Sequence, residues 1–285
     1  MFGKKFLRLS ASLCLCLMSA LAADTTGPEK LTAAQIIAKN IAARGGLKAW
    51  RGVQTMSWSG KMDAGGDSVE RSRRIAQLRG GGNRTSITPT AGSKEEANKQ
   101  TQLPFVLEMK RPRKSRVEIQ FAGKTAIQVY DGTNGWKVRP FLNRIEVESF
   151  TPGELEAEGR TADVDGPLVD FAVKGTQAEL DGVEKVEGRD AYKLKLTLKD
   201  GSVRHVWIDA QNFLDVKIEG NPRRMDGKMH DVWVYQRDFR EVQGVTLPFV
   251  LETVVDGYHD RHKMDLEKVE VNPKLDDSQF AKPRV

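Results

Sequence analysis

Cysteine is scarce in this chain of 285 residues, which contains two. Both, Cys14 and Cys16, lie in an apolar stretch near the N-terminus. Leucine precedes each of them, whereas a lipidated cysteine would follow a small residue, so we expect neither to carry a lipid. Once that stretch is removed, the chain has no thiol and no disulfide. Its stability must then come from a hydrophobic core, and thiol catalysis is excluded.

Long apolar runs are also few. The one present spans residues 9–21, follows three cations and ends in the small-residue pattern Ala20-Leu21-Ala22, which a signal peptidase recognises. Residues 1–22 are therefore predicted to be a cleaved secretory signal peptide, because the run is too short for a spanning helix. We expect residues 23–285 to be a soluble periplasmic protein. Loss of the three cations lowers its formal charge from +6 to +3, which is not typical of a nucleic-acid-binding protein.

Enzyme motifs are missing as well. No Gly-x-Ser-x-Gly elbow, P-loop or dinucleotide fingerprint occurs. The segment "YHDRH" places His259 and His262 three residues apart, but it falls in a predicted turn with no third ligand nearby in sequence. We therefore predict no catalytic residues, no metal and no cofactor. The alternative is an enzyme that uses His259 and His262 together with scattered carboxylates.

Alternation of apolar and polar residues dominates the rest of the chain. One helix precedes it, with a capping box formed by Thr32 and Gln35 and an end at Gly45-Gly46. About ten alternating segments then follow in successive hairpins, which favours an antiparallel sheet that curls or closes. Short helices are predicted to begin at Thr151 and to span Pro167–Val173. The predicted fold is therefore mainly β with a few helices that cover one side of the sheet.

One segment interrupts this pattern. Residues 79–102 are rich in Gly, Ser, Thr, Asn, Lys and Glu. This composition predicts a long mobile loop or an insertion. It separates the first alternating segments from the rest.

Several pieces of the sequence resemble a known family. "AARGGLKAWRGVQTMSWSGKM" at 42–62 is similar to the start of periplasmic outer-membrane lipoprotein-sorting proteins, and "KRPRKSRVEIQFAGKTAIQVYDGTNGW" at 110–136 resembles their central strands. "DGSVRHVWIDAQNFLDVKIE" at 200–219 is similar to one of their strand–turn–strand units, and "VEVNPKLDDSQFAKP" at 269–283 to their C-terminal part. The pieces follow the same order over nearly the whole mature chain. Together they resemble the LolA/LolB-like lipoprotein-carrier superfamily.

This resemblance implies one domain over residues 23–285, built as an incomplete half-barrel. Its helices would cover a concave apolar side that holds the acyl chains of lipids or lipoproteins, and inner- or outer-membrane proteins are further expected partners. An ordinary packed core is the alternative explanation for the same apolar residues. The alternation of the strands gives the candidates for the cavity: Trp58, Phe105, Leu107, Val117, Ile119, Phe121, Trp136, Leu194, Leu196, Phe249 and Leu251.

The hexapeptide LPFVLE occurs twice, at residues 103–108 and 247–252. Nothing outside the six residues aligns, so an internal duplication is not supported. Each copy has its proline near the start of a predicted strand, where the missing N–H costs least. We predict that the Phe and Leu of both copies point to the same concave apolar face.

These observations predict a non-catalytic periplasmic carrier or chaperone for lipids or lipid-modified proteins. Release would require an acceptor of greater affinity, because nothing in the sequence hydrolyses nucleotide. The alternative is a periplasmic sensor or regulatory binding protein on the same scaffold. The basic run at residues 110–116 could contact anionic head groups, although a solvated hairpin turn explains it too. Nucleic acid is not expected, because aromatic residues do not alternate with these cations.

Overall fold

The computed structural model describes residues 31–64, 101–140, 144–258 and 261–284. The predicted signal peptide and most of the 79–102 segment lie outside these ranges. The helices within them are α1 (Ala33–Ala43), α2 (Leu47–Gly52) and α3 (Pro152–Thr161), with a 3₁₀ helix at Asp277–Phe280. Among the residues described, no helix combines the length and the apolar character that crossing a bilayer requires.

Two of the helices begin with a capping box. In α1 the Gln35 N–H donates to Thr32 Oγ1 at 3.2 Å, and the Thr32 N–H donates to Gln35 Oε1 at 2.8 Å, as predicted. In α3 the pair Thr151 and Glu154 makes the same reciprocal bonds, with Pro152 in the first turn. The proline lacks a backbone N–H that the first turn of a helix leaves unpaired in any case.

The described ranges contain fifteen strands. In chain order they are β1 (Thr55–Ala64), β2 (Thr101–Lys110), β3 (Lys114–Phe121), β4 (Lys124–Tyr130), β5 (Gly135–Arg139), β6 (Arg144–Ser149), β7 (Gln177–Val186), β8 (Arg189–Thr197), β9 (Val203–Asp209), β10 (Asp215–Glu219), β11 (Arg223–Met225), β12 (Lys228–His230), β13 (Val232–Val242), β14 (Val245–Val255) and β15 (Arg261–Val271).

Thirteen of these strands form one sheet in the order β6-β5-β4-β3-β2-β1-β15-β14-β13-β10-β9-β8-β7, and β11 pairs with β12 separately. Every described pair of neighbouring strands is antiparallel. Within the described ranges the edge strands β6 and β7 do not pair with each other, and the curled sheet is open between them. The predicted fold, mainly β with an incomplete barrel, is confirmed.

The predicted loop at residues 79–102 extends too far. Thr101 and Gln102 already belong to β2, where they pair with Ala64 and Asp63 of β1. Their polar side chains gave no sign of a strand, because both are exposed and the pairing is made by the backbone alone.

The helix predicted at Pro167–Val173 is wrong. Residues 164–175 form a series of turns, which we call the turn segment. Gly166 and Asp170 have positive φ values of 73° and 52°, and a right-handed helix cannot continue through that conformation. Asp170 is held in place by Arg51, whose Nη2 donates to its Oδ1 at 2.6 Å.

One face of the sheet, which we call the inner face, packs against α1, α2 and the turn segment. Burial of its apolar side chains supplies the main stabilisation of the described residues, which include no cysteine. Trp50 from α2, with an exposed fraction of 0%, lies at the centre of this core. The buried members of the cluster are Trp50, Val53, Met56, Phe105, Met109, Val164, Val169, Val245, Leu247, Phe249, Leu266, Val269 and Val271.

The end of α1 approaches the sheet closely because Gly45 has no side chain. Its φ is 103°, and a Cβ at this position would lie 2.1 Å from the carbonyl oxygen of Gly244 in the β13–β14 turn. The Arg44 carbonyl accepts two hydrogen bonds at this junction, from the Thr246 N–H at 3.0 Å and from Trp50 Nε1 at 2.9 Å. Helix and sheet are therefore joined through backbone groups as well as through apolar contact.

A bulge between β1 and β15 contributes to the curl. The register shifts between Ser59 and Gly60. A Cβ on Gly60 would lie 1.9 Å from the carbonyl oxygen of Asp265, so the strands can approach only with glycine at this position. Bulges bend a strand and increase its twist, and this one lies in the middle of the sheet order.

Helix α3 connects two parts of the sheet that are far apart in strand order. From β3, Ser115 Oγ donates to Glu158 Oε1 at 2.5 Å, and from β5 Lys137 forms an ion pair with Glu154. From the opposite arm, Asn221 Nδ2, just after β10, donates to a backbone oxygen of α3 at 3.3 Å. The sheet therefore curls far enough for both arms to reach one helix.

Candidate functional site

Cross-strand pairs arrange the side chains of the inner face in rows that run across the sheet. The row nearest α2 contains Val271, Met56, Met109 and Ser115, which face one another on β15, β1, β2 and β3. All four are buried, and Met56 has an exposed fraction of 0%. This end of the inner face is closed by the helices.

Phe105 and Leu266 are buried in one of the rows further from α2, whereas the rows on either side of it are more open. In the row that contains Trp58, Leu107 and Val117, all three side chains are half-buried. In the outermost row, Leu251, Met264, Met62 and Leu103 are half-buried as well. Phe121, at the end of β3 on the same face, is 45% exposed. The apolar surface therefore extends beyond the closed core.

We call this surface the open strip. It comprises nine apolar side chains, and none of them can act as a nucleophile, an acid or a base. The chemistry that this surface offers is therefore the burial of other apolar groups. Its members are Trp58, Met62, Leu103, Leu107, Val117, Ile119, Phe121, Leu251 and Met264.

The two copies of LPFVLE contribute to the same face, as predicted. Three successive cross-strand pairs lead from one copy to the other. Leu251 faces Met264, Met264 faces Met62, and Met62 faces Leu103. Phe105 and Phe249 both belong to the core cluster, and Leu107 packs against it. The two copies thus present the same side chains to one face, with Phe105, Phe249 and Leu247 buried and the other three leucines on the open strip.

Three of the predicted cavity residues lie elsewhere. Leu194 and Leu196 on β8 are completely buried, with exposed fractions of 0%, and form part of the packed interior. Trp136 pairs with Val129, whereas the inner-face residue of β4 that pairs with Ile119 is Ala126. Since Ala126 and Val129 are three residues apart on one strand, they point to opposite sides. Trp136 therefore lies on the outer face, away from the open strip.

Three members of the open strip, Met62, Leu103 and Met264, were not among the predicted cavity residues, although Leu103 belongs to the first LPFVLE copy. Met62 continues the alternation of β1 and could have been found from it. Met264 could not be placed in the same way, because the bulge at Gly60 changes the phase of the β15 alternation between Leu266 and Val269. A phase change in an otherwise regular strand is the sequence signal for such a bulge.

Trp58 has a polar group without a partner. Its indole Nε1 is buried, and no acceptor for it is found among the described residues. Buried donors in folded proteins are nearly always hydrogen-bonded. The Trp58 N–H is therefore a buried donor whose hydrogen-bonding capacity is unused among the described residues.

Charged groups around α3 frame the inner face without entering the open strip. Burial raises the pKa of Glu154, but hydrogen bonds from Lys137 and from the Thr151 backbone outweigh burial, and its pKa is lowered overall. The Glu154 carboxylate is therefore ionised at neutral pH and keeps Lys137 paired. These groups hold the helix on the sheet and are not free for proton transfer.

The predicted histidine pair is only partly visible. His262 lies in β15 opposite Thr253, and His259 falls outside the described residues. No group of three potential metal-binding side chains occurs in the part of the chain that the structure describes.

The basic run at residues 110–116 is engaged in internal ion pairs. Lys110 and Lys114 both contact Asp277 of the 3₁₀ helix, at 3.2 Å and 2.8 Å. Arg111 Nη2 contacts the buried Asp165 Oδ2 at 2.7 Å. These cations attach the C-terminal part and the turn segment to the sheet.

The architecture is shared with solved structures of low sequence identity. The chain is 16% identical to a LolA superfamily protein from Nitrosomonas europaea, with a TM-score of 0.53 over 89% of this chain and 99% of that one. It is 13% identical to a DUF1329 family protein from Desulfovibrio piger, with a TM-score of 0.50 over 86% and 95% of the two chains. A protein from Vibrio parahaemolyticus described as an outer membrane lipoprotein-sorting domain is 10% identical, with a TM-score of 0.51 over 88% and 96%.

Neither the family models nor the curated proteins contain a match to the sequence. The structural likeness therefore concerns the fold. This chain has the open, helix-covered antiparallel sheet of the LolA superfamily structure, as the resemblance implied.

Proposed function

We propose that this protein binds the acyl chains of lipids or of lipid-modified proteins on the open strip and carries them through the periplasm. The observation that carries the proposal is the continuity between a closed apolar core and nine half-buried or exposed apolar side chains on the same face. Such a surface gains free energy when it is covered, at about 0.8 kcal/mol for each methylene removed from water. No polar contact is needed for affinity toward a long chain.

Two further features support this proposal. The Trp58 N–H has no acceptor among the described residues, and it can donate to an ester or amide carbonyl once a bound acyl chain displaces the side chains that cover it. The likeness to a LolA superfamily protein and to a lipoprotein-sorting domain supports a carrier rather than an enzyme. The predicted signal peptide at residues 1–22 is the basis for a periplasmic location. Transfer would proceed to an acceptor of greater affinity, because the proposed site provides no chemical step.

A quenching experiment tests the position of the bound chain. Acyl chains that carry bromine quench tryptophan fluorescence only at short range, so a chain on the open strip should quench Trp58. The matched pair of variants is Trp58→Phe and Trp136→Phe, since Trp136 is also half-buried but lies on the outer face. We expect quenching to decrease strongly in Trp58→Phe and to persist in Trp136→Phe.

Two results would contradict the proposal. The first is a protein whose fluorescence does not respond to any brominated fatty acid, phospholipid or lipopeptide. The second is quenching that disappears in Trp136→Phe and persists in Trp58→Phe, because the bound chain would then lie on the outer face.

A further inference from the structure

A second cavity, of about 780 Å³, lies between α3, the turn segment and the β8–β9 hairpin. Its lining is charged, unlike the open strip. Five cationic side chains and three carboxylates border it: Arg113, Arg160, Lys174, Lys199 and Arg204, with Glu156, Asp163 and Asp200.

All three carboxylates are engaged by three of the cations. Arg160 contacts both Glu156 and Asp200, the latter through Nε at 3.0 Å. Asp163 is shared by two cations, Arg113 Nε at 3.4 Å and Lys174 Nζ at 3.5 Å. The two remaining cations, Lys199 and Arg204, have no carboxylate within 4 Å among the residues described. The cavity therefore has an excess of positive charge.

Of these two cations, Arg204 is the better placed to bind a ligand in the cavity. It pairs with Leu196 on the neighbouring strand, which places it on the inner face, and it is half-buried. Among the described residues its guanidinium makes one hydrogen bond, from Nη2 to Asn221 Oδ1 at 3.1 Å. Burial lowers the pKa of the Arg204 guanidinium. The positive charge of Arg160 lowers this pKa further, and the negative charge of Glu219 acts in the opposite direction. A guanidinium has five N–H donors, so most of its hydrogen-bonding capacity is available to a ligand.

We propose that this cavity binds a phosphate group, and that in a bound lipid this group is the phosphodiester of the head. A guanidinium binds phosphate oxygens through paired, charge-assisted hydrogen bonds, and an anion here compensates the charge that Arg204 and Lys199 leave unpaired. The identification of the phosphate with a lipid head group rests on the proposed function. The phosphate site itself does not, because a free phosphate ester has the same chemistry.

Calorimetric titration of the purified protein with three ligands separates these sources. Dihexanoyl phosphatidylglycerol carries both chains and phosphate, dihexanoylglycerol carries the chains alone, and glycerol 3-phosphate carries the phosphate alone. The test variant is Arg204→Gln, with Lys199→Gln as a second, exposed variant. Arg224→Gln is the matched control, because Arg224 is exposed on β11 and its loss changes the net charge equally.

We expect the phospholipid to bind at least about tenfold more tightly than the neutral lipid, the difference that hydrogen bonds to a charged group provide. Arg204→Gln should abolish this preference and leave binding of the neutral lipid unchanged, and Arg224→Gln should keep the preference. Lys199→Gln should reduce it about twofold to fivefold, as an exposed charge does. If Arg204→Gln does not fold by circular dichroism, Lys199→Gln decides the question.

Each other outcome has a definite meaning. Binding of glycerol 3-phosphate that depends on Arg204, without any preference for the phospholipid, overturns the head-group assignment and leaves a site for free phosphate esters. If the neutral lipid does not bind but glycerol 3-phosphate does, the proposed function fails and the phosphate site stands. The site itself is overturned if neither phosphate compound binds, or if both bind the variants as tightly as the unaltered protein.

Discussion

Replacing Leu107 and Leu196 separately by alanine distinguishes a ligand surface from a packed core. Both are leucines on strands of the same sheet, and both were candidates for the cavity from their alternation. In the structure Leu196 has an exposed fraction of 0%, whereas Leu107 is half-buried at the border of the open strip. We therefore expect Leu196 to contribute to stability and Leu107 to contribute to binding.

We expect Leu196→Ala to lower stability more than Leu107→Ala does, and Leu107→Ala to lower the affinity for an acyl chain more than Leu196→Ala does. Leu196→Ala should lower the free energy of unfolding by about 2–5 kcal/mol, the usual cost of a cavity in a closed core. Leu107→Ala should cost less, roughly 1–2 kcal/mol, because the Leu107 side chain keeps part of its surface in water in the folded protein. Its affinity for a long acyl chain should fall about fivefold to tenfold, since about 1 kcal/mol of apolar contact with the chain is lost.

Urea unfolding measures the first quantity, and titration with a fluorescent fatty acid measures the second. Leu196→Ala, studied under conditions where it is folded, should bind the probe as tightly as the unaltered protein. The reasoning is refuted if Leu107→Ala binds normally, or if the two variants lose stability and affinity in parallel. Parallel losses would mean that the open strip is ordinary core.

Two further predictions concern the frame around the site. Gly45→Ala should lower the free energy of unfolding in urea by more than about 2 kcal/mol, because a Cβ there combines positive φ with a 2.1 Å approach to the Gly244 carbonyl oxygen. Gly188→Ala, which has positive φ but open space around the Cβ, should lower it by about 1 kcal/mol. Equal losses in the two variants would show that the close approach to Gly244 does not matter. The pKa of Asp200 is lowered from 3.8 to about 2, first by the Ser202 hydroxyl and then by the Ser202 N–H and Arg160. Because this folded-state pKa is depressed, the contribution of Asp200 to stability is present above about pH 4 and is lost as the pH falls toward 2. In a carboxyl NMR titration Ser202→Ala should raise the pKa of Asp200, and an unchanged pKa would show that the hydroxyl is not the cause.

The alternation of apolar residues predicted most of the sheet because a strand reveals its two sides locally. The shared face of the two LPFVLE copies is the best example, since each copy shows its buried side without knowledge of the other. The capping box at Thr32 and Gln35 is likewise complete within four residues. Local patterns of this kind specify where an element begins and which side it buries.

The remaining features depend on contacts between distant parts of the chain. Trp136 alternates as regularly as Leu107, but the register across β3, β4 and β5 places it on the outer face. The turn segment contains residues that tolerate a helix. Asp165 and Asp170, however, form ion pairs with Arg111 and Arg51, and the segment forms turns instead. Neither the packing partner nor the side of the sheet can be read from a short window of sequence.

The open strip also combines a feature that the local sequence shows with one that depends on distant contacts. Its residues are apolar and alternate like the residues of the core, so their type gives no sign of their partial exposure. Exposure depends on where α1, α2 and the turn segment stop covering the inner face. For this reason Leu194 and Leu196 were candidates equal to Leu107 and Leu251, although only the latter pair lies on the open strip.

Native mass spectrometry of the protein purified from a bacterial periplasm without detergent shows directly whether the open strip holds acyl chains. We expect a population with the added mass of a lipid or of an acylated peptide. Leu107→Asp, which places a charge on the open strip, should lose this added mass while it retains the circular dichroism of the folded protein. A protein that carries no added mass and binds no acyl probe when one is offered would show that the open strip is not an acyl-chain site.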